Sequence, residues 1–218
     1  MKFKDKYHDE FNAVLLSIGE RQQPQKEWIE YGKVPGTSLA LSQDTGTYQP
    51  YERQVQILSK TKAELTDIYQ WLDGTGQLWV DEDGYYNARV MSIDTASESL
   101  MLGWSRLTIT FEIQPFLFLY SPTIALTSGQ TVYNPGIESD PYIKITGSGS
   151  VTLTVNGVAY TINPIDQSVE IEWPYAWKGL LNKGKTLSGF PKLKSGNNVI
   201  SWTGAVTKVL LNGRWRTL

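Results

Sequence analysis

A mainly β protein of two domains is what this sequence predicts, and three observations predict it. From Asn134 to Trp202, apolar and polar residues alternate in short runs cut by Gly, Pro and Asn, the pattern of strands with one buried and one wet face. A single segment, Lys62–Leu72, shows helical periodicity with a start and a stop signal. The formal net charge of -2 is a cancellation: residues 1–120 hold 11 Lys and Arg against 17 Asp and Glu, and residues 121–218 hold 9 against 5. Such a contrast favours two domains with different surroundings. It also speaks against a simple nucleic-acid binder, which needs a basic surface overall. Ser121-Pro122 and Ser128-Gly129-Gln130 break the periodicity. The expected division is therefore a β-sandwich or barrel-like N-terminal domain with one helix over 1–122 and a C-terminal β-sandwich over 123–218.

In the first domain Val14–Ile18, Trp28–Tyr31, Leu39–Leu41 and Glu52–Leu58 read as short strands. Val34–Ser38 and the polar stretch Ser42–Pro50 are punctuated by Gly and Pro and read as an extended excursion. Long arms of this kind often grip a neighbour. Thr61-Lys-Ala-Glu64 is a capping box for the helix, in which two side chains satisfy the first free amides reciprocally. Leu65, Ile68, Tyr69 and Leu72 form one apolar stripe, and Gly74 supplies a left-handed stop. Gln77–Asp81 and Tyr85–Met91 flank the acidic turn Glu82-Asp83-Gly84 as a hairpin. Leu107, Ile109, Phe111 and Ile113 then alternate with polar partners until Gln114-Pro115 ends the strand.

The second domain contains the best-defined turn. With Asn156-Gly157 as a two-residue type I′ loop, Val155 faces Val158, Leu153 faces Tyr160 and Val151 faces Ile162, which puts all six apolar side chains on one face. Tyr142–Thr146, Val151–Val155, Val158–Ile162, Val169–Trp173, Asn198–Trp202 and Val206–Leu211 make six strands at sandwich spacing. No tandem repeat is present.

Groups for chemistry are few. Cysteine is absent, which removes disulfides and thiolate metal sites. His8 is the one histidine; Asp9 and Glu10 beside it would point to opposite sides of an extended segment, so they do not make a metal site. Asp81-Glu82-Asp83 lacks the spaced oxygens of a calcium loop and reads as a solvated hairpin tip. Gly74-Thr-Gly76 and Gly147-Ser-Gly149 complete no phosphate-loop motif. Trp173, Tyr175 and Trp177 around Pro174 could stack on sugars, although Trp173 continues the apolar face of Val169 and Ile171. Lys178, Lys183, Lys185, Lys192 and Lys194 read as a solvated basic loop. We expect no catalytic residue, no metal and no cofactor. The charged first ten residues are not those of a signal peptide, and the longest apolar run, Phe116–Tyr120, is far too short to span a membrane. A soluble protein without membrane insertion is expected.

The order of the pieces is more specific than any one of them. Asn134-Pro-Gly136, Asp140-Pro-Tyr-Ile-Lys-Ile-Thr-Gly147-Ser-Gly149, Phe190-Pro-Lys-Leu-Lys-Ser-Gly196-Asn-Asn198-Val-Ile200 and Arg214-Trp-Arg216 follow one another. They are preceded by Pro35-Gly36, Tyr51 with Arg53, the capped helix, Leu78-Trp79 and Phe111-Glu-Ile-Gln-Pro115. Over nearly the whole chain this resembles the distal tail protein (Dit) family of long-tailed, siphovirus-type phages and prophages. The resemblance implies a ring-forming N-terminal β domain, a galectin-like or carbohydrate-module-like C-terminal sandwich, and no catalysis. It further implies a homo-oligomer, a hexameric ring between the tail tube protein and a tail-tip, tail-associated lysin-type protein, with DNA passing through the lumen. Receptor-binding or baseplate proteins are further expected partners. The expected location is the virion tail tip, after assembly in the host cytoplasm. Asp81, Glu82 and Asp83 are then expected at the lumen or an interface. The competing expectation is a carbohydrate-binding module for host cell-wall sugars, with Tyr175, Trp177 and Trp202 as the contacts to sugar or partner.

Overall fold

The structure is a computed structural model that describes residues 1–33, 40–61, 64–80, 83–99, 103–172, 181–182 and 188–218. The chain divides into two compact units, Met1–Leu117 with Leu218, and Phe118–Thr217. Both are β-rich, so the mainly β reading holds.

The first unit contains β1 (Lys2–Phe3), β2 (Lys6–Tyr7), a 3-10 turn at His8–Phe11, β3 (Val14–Ser17), β4 (Lys26–Lys33), β5 (Ala40–Tyr48), β6 (Tyr51–Ser59), α1 (Leu65–Trp71), β7 (Thr75–Trp79), β8 (Gly84–Ser99) and β9 (Trp104–Leu119), whose last two residues belong to the second unit. One sheet runs in the order β2-β1-β7-β8-β9-β6-β3, while β4 and β5 form a separate two-stranded ribbon. The alternation expected for β9 is present, with Leu107, Ile109, Phe111 and Ile113 all fully buried. Phe3 packs on Phe111 with ring centroids 5.4 Å apart.

Several expectations for this unit change. Ser42–Tyr48 is not an irregular excursion but strand, because its polar side chains find partners across the ribbon; residues 34–39 lie outside those described. Within the described residues the helix is Leu65–Trp71 rather than 62–72, with Lys62 and Ala63 outside. Glu64 is the N-cap residue of the described helix and makes no side-chain cap bond there; its carboxylate accepts from Asn12 Nδ2 at 2.7 Å. Hydrogen bonds from Asn12 and then Thr61 hold that carboxyl below its ordinary value. On the helix stripe Trp71 takes the place of Tyr69, which is exposed; the Trp71 indole stacks on Phe11 at 4.9 Å and donates to the Phe3 carbonyl at 2.8 Å. Trp71 buries a larger apolar area with its N–H satisfied, while the Tyr69 hydroxyl bonds Thr95 Oγ1 at the surface. Finally, β9 does not stop at Gln114-Pro115. The β6 ladder ends at the Tyr51–Ile113 pair, so Pro115 lies where its missing N–H costs no bond to β6.

Arg53, expected only as a motif residue, is 3 % exposed and holds the turn after β3: its Nε donates to the Ile18 carbonyl at 2.8 Å and its guanidinium lies 5.9 Å from the Tyr86 ring.

The second unit contains β10 (Ile124–Leu126), β11 (Gln130–Asn134), β12 (Tyr142–Val155), β13 (Val158–Glu172), β14 (Leu181–Asn182), β15 (Gly196–Asn212) and β16 (Arg216–Thr217). The sheet order is β10-β15-β12-β13-β14, with β11 pairing the other half of β15. The register expected for the hairpin is the one found, Val155 with Val158, Leu153 with Tyr160 and Val151 with Ile162, and the turn residues Asn156 and Gly157 have φ of 52° and 82°. Val158 departs from the shared buried face; next to the turn it is exposed.

The six short strands expected here are pieces of three long ones. Sequence breaks at Gly147-Ser-Gly149 and Gly204 mark irregularities where β12 and β15 bend without ending. Gly204 has φ of 109°, and a Cβ there would lie 2.5 Å from the Ser150 carbonyl oxygen, so only glycine lets the strands approach. Bending carries each strand around a core that includes Ile143, Leu153, Ile162, Ile171, Ile200 and Val209.

Two buried asparagines hold the loops of this unit. Asn134 Nδ2 donates to the carbonyls of Ile137 at 2.8 Å and Leu193 at 3.2 Å, while its Oδ1 accepts from the Gly136 amide at 2.9 Å. Asn198 accepts from Asn156 Nδ2 at 2.7 Å and the Lys194 amide at 2.8 Å, and donates to the carbonyls of Lys194 and Gly196. The C-terminal segment closes over the first of these turns. A Cβ on Gly136 would lie 2.1 Å from the Arg216 carbonyl oxygen, and Arg216 Nε donates to the Glu138 carbonyl at 2.7 Å while Nη1 meets Asp140 at 3.0 Å.

Candidate functional site

Among the described residues of the first unit, the most distinctive surface is the β4–β5 ribbon. Polar bonds close it from end to end. The Gln49 amide donates to the Gln25 carbonyl at 2.8 Å at the base, Thr47 Oγ1 donates to Glu27 at 2.6 Å, and Lys26 Nζ meets Asp44 at 2.7 Å. Near the base Tyr48 packs edge-on against Phe116, centroids 5.9 Å apart.

Apolar groups lie on both faces of the ribbon. Ile29 pairs with Gln43, and the Tyr31 hydroxyl donates to Gln43 Oε1 at 2.7 Å, which places these three on one face. Trp28 pairs with Asp44, the partner of Lys26, on the other. Trp28, Ile29 and Tyr31 are 54 %, 47 % and 62 % exposed. A two-stranded ribbon is marginal in water by itself, and large apolar side chains on both of its faces are the composition of a surface that gains by being covered.

The Lys26–Asp44 pair gives the ribbon a pH response. The Lys26 hydrogen bond, aided by the Gly46 amide, holds the Asp44 carboxyl below its ordinary value, and the same bond raises Lys26. Asp44's contribution is therefore present above its unfolded pKa and lost as pH falls through the lowered folded one; that of Lys26 is present below its unfolded pKa and lost as pH rises through the raised one. An NMR titration of the Asp44 carboxyl should give a midpoint below that of ordinary aspartate, moving back toward it in Lys26→Ala. An unchanged midpoint in that variant would show that the pair does not set it.

Of the residues expected to carry function, Asp83 and Trp202 lie among those described. Asp81 and Glu82 lie outside the described residues; Asp83 is an exposed turn residue before β8, and the hairpin around it pairs Leu78 with Tyr86 and Gln77 with Asn87. Tyr175 and Trp177 also lie outside, as do Trp173, Lys178, Lys183 and Lys185. Trp202 is part-buried against the core of the second unit, and its backbone amide donates to Ser128 Oγ at 3.1 Å. Lys192 is paired with Glu138 at 2.8 Å, a bond that raises its pKa. His8 binds locally through Nδ1, 3.1 Å from the Met1 amine and 3.0 Å from the Met1 carbonyl oxygen. No group of three or more His, Cys, Asp or Glu able to hold a metal occurs among the described residues, nor is any of their helices long and apolar enough to cross a membrane.

No protein-family model matches this chain, and no curated protein matches it. Among solved structures, the SPP1 Dit protein (gp 19.1), described as a paradigm of the hub adsorption apparatus in phages infecting Gram-positive hosts, superposes with a TM-score of 0.70 at 13 % identity, over 99 % of this chain and 98 % of that one. The chain has a Dit-like fold. A chain of the phage P2 baseplate in its activated, Ca-containing conformation matches with a TM-score of 0.50 at 8 % identity, over 91 % of this chain and 89 % of that one. The Dit-like match covers nearly the whole chain and therefore spans both compact units.

The sequence pointed to an arm near residues 34–50 but not to the ribbon's apolar faces. The alternation Glu27, Ile29, Tyr31 against Lys26, Trp28, Glu30 was the available signal, with large apolar residues in both sets.

Proposed function

We propose that this protein is the structural hub of a phage tail tip or baseplate, a hexameric ring that joins the tail tube protein to a tail-tip, tail-associated lysin-type protein and lets DNA pass through its lumen. The observation that carries the reading is the Dit-like match over 99 % of the chain, both units included. In the ring the first unit forms the subunit contacts, and the β4–β5 ribbon lays Trp28, Ile29 and Tyr31 on the adjacent subunit. Repeating one head-to-tail contact closes into a ring when its rotation divides a full turn. The net acidic first half supplies a lumen that repels the phosphate backbone, so DNA slides without sticking. Asp83, with Asp81 and Glu82, belongs to that lumen or to an interface. The second unit is a docking surface for receptor-binding or baseplate proteins, or a peripheral brace. The virion tail tip is the site of action, reached from the host cytoplasm, and the role requires no catalysis.

Negative-stain electron microscopy of the purified chain tests the proposal. Six-fold rings with a central hole are expected, and Trp28→Ser combined with Tyr31→Ser should abolish them while leaving the circular dichroism spectrum intact. Fields containing only single small particles at every concentration, or rings unaffected by the double variant, count against the hub or against the ribbon's part in it, respectively.

A further inference from the structure

The sequence contains the dipeptide Asn-Gly twice, at Asn156-Gly157 and at Asn212-Gly213. Few dipeptides are as open to self-modification, because glycine has no side chain to shield its own amide from the asparagine before it. The glycine amide nitrogen loses its proton and attacks the asparagine Cγ, Nδ2 departs as ammonia, and a cyclic succinimide closes. Water then opens the ring at either carbonyl and leaves aspartate or isoaspartate. The reaction needs an accessible amide and a side chain free to turn. In this fold the two dipeptides differ in both.

Gly213 is closed off. It is buried, its amide donates to Ser121 Oγ at 3.1 Å, and a Cβ on it would lie 2.1 Å from the Trp215 indole, which covers that stretch of backbone. The side chain before it is held as well, since Asn212 Nδ2 donates to the Ser121 carbonyl at 2.8 Å and Oδ1 accepts from the Arg214 amide at 3.0 Å. Gly157 is the opposite case. It lies at the exposed tip of the β12–β13 turn, and a Cβ there would meet nothing within 4 Å. The restraint on this pair is the Asn156 side chain, whose Nδ2 donates to Asn198 Oδ1 at 2.7 Å and whose Oδ1 accepts from the Val199 amide at 3.0 Å. Such bonds at the end of a hairpin open far more often than a buried backbone does.

We propose that Asn156 is a site of self-modification to aspartate and isoaspartate in the folded protein, at a rate set by opening of its bond to Asn198, and that Asn212 is spared. The product cannot remake the bond. A carboxylate at 156 puts an acceptor where Nδ2 donated, against Asn198 Oδ1, which is itself an acceptor. Asn198 cannot turn its amide over to compensate, because its Oδ1 also takes the Lys194 amide and its Nδ2 serves the carbonyls of Lys194 and Gly196. Isoaspartate further adds a methylene to the main chain of a two-residue turn, whose φ angles of 52° and 82° go with the observed register. Modification therefore unties the hairpin tip from the loop before β15. This chemistry goes beyond the hub reading and stands whether or not a ring forms.

Ageing the purified chain in mildly alkaline buffer, then mapping its peptides by mass spectrometry and counting isoaspartate by enzymatic methylation, tests the assignment. In the folded protein Asn156 should convert about tenfold faster than Asn212, or more. In urea, where only the shared dipeptide counts, the two should convert at similar rates. Asn198→Ser should speed Asn156 by about tenfold and leave Asn212 unchanged, and Ser121→Ala, which frees the Gly213 amide, should speed Asn212 alone. Should the Asn198 variant fail to fold, the wild-type comparison and Ser121→Ala still decide. Hydrogen exchange on the aged protein should show lost protection at the Lys194 and Val199 amides. The proposal is overturned if Asn212 converts as fast as Asn156 in the folded chain, if Asn156 stays intact after many times the period that converts the unfolded chain, or if a folded Asn198→Ser variant leaves its rate unchanged.

Discussion

Phe111→Ala should cost the first unit about 4 kcal/mol, the scale for deleting a fully buried aromatic ring and leaving its cavity. Phe111 is fully buried, sits mid-strand in β9 opposite Arg53 of β6, and packs on Phe3, the residue whose carbonyl anchors Trp71. Losing the ring loosens the sheet and, through Phe3, the seat of α1. Hydrogen exchange checks this directly. Amides of β6 and β9 should lose about 1000-fold in protection, the equivalent of that free energy, while amides of β12 and β15 hardly change. Equal loss across both units would show that they unfold as one.

Asn198→Ala should act in the second unit and cost about 3 kcal/mol or more, for a different reason. The side chain is fully buried and serves the Lys194 amide, the carbonyls of Lys194 and Gly196, and Asn156 Nδ2. Alanine removes all of these at once and leaves polar groups of a buried loop without partners, each with a desolvation cost of about 1–3 kcal/mol. The loop 194–197 and the turn at Asn156 should lose exchange protection first, and Asn198→Asp should be almost as damaging because it keeps the acceptor and loses the donor. Full protection in the alanine variant would mean that water replaces the amide.

These two residues show what the sequence makes legible. Phe111 was identifiable as core because period-two alternation places every second side chain of a strand on one face, and β9 obeys it. The hairpin at Asn156-Gly157 was legible down to its register, since few residue pairs accept two successive positive φ angles. Asn198 was visible only as part of a pattern. Its work is done through backbone groups of residues whose position depends on the tertiary fold, and no local rule reveals those. The strand ends were misplaced at Gly147 and Gly204 because a glycine that bends a continuing strand and one that ends a strand look alike in one dimension. Nothing in the sequence pointed to the tertiary partner of Glu64, Asn12, which lies 52 residues away. The ribbon was the hardest element to read. Its residues serve surfaces on both faces, so they carry neither the one-sided alternation of a half-buried strand nor the polarity of a loop. In the second unit, Glu172 and Arg214 are 42 residues apart and meet only because β13 and the turn after β15 converge.

Native mass spectrometry of the purified chain tests the central claim most directly. The hub predicts a dominant species of six times the 24.5 kDa chain mass, one that falls apart when Trp28 and Tyr31 are replaced by serine. A monomer at every protein concentration and ionic strength tried would contradict it.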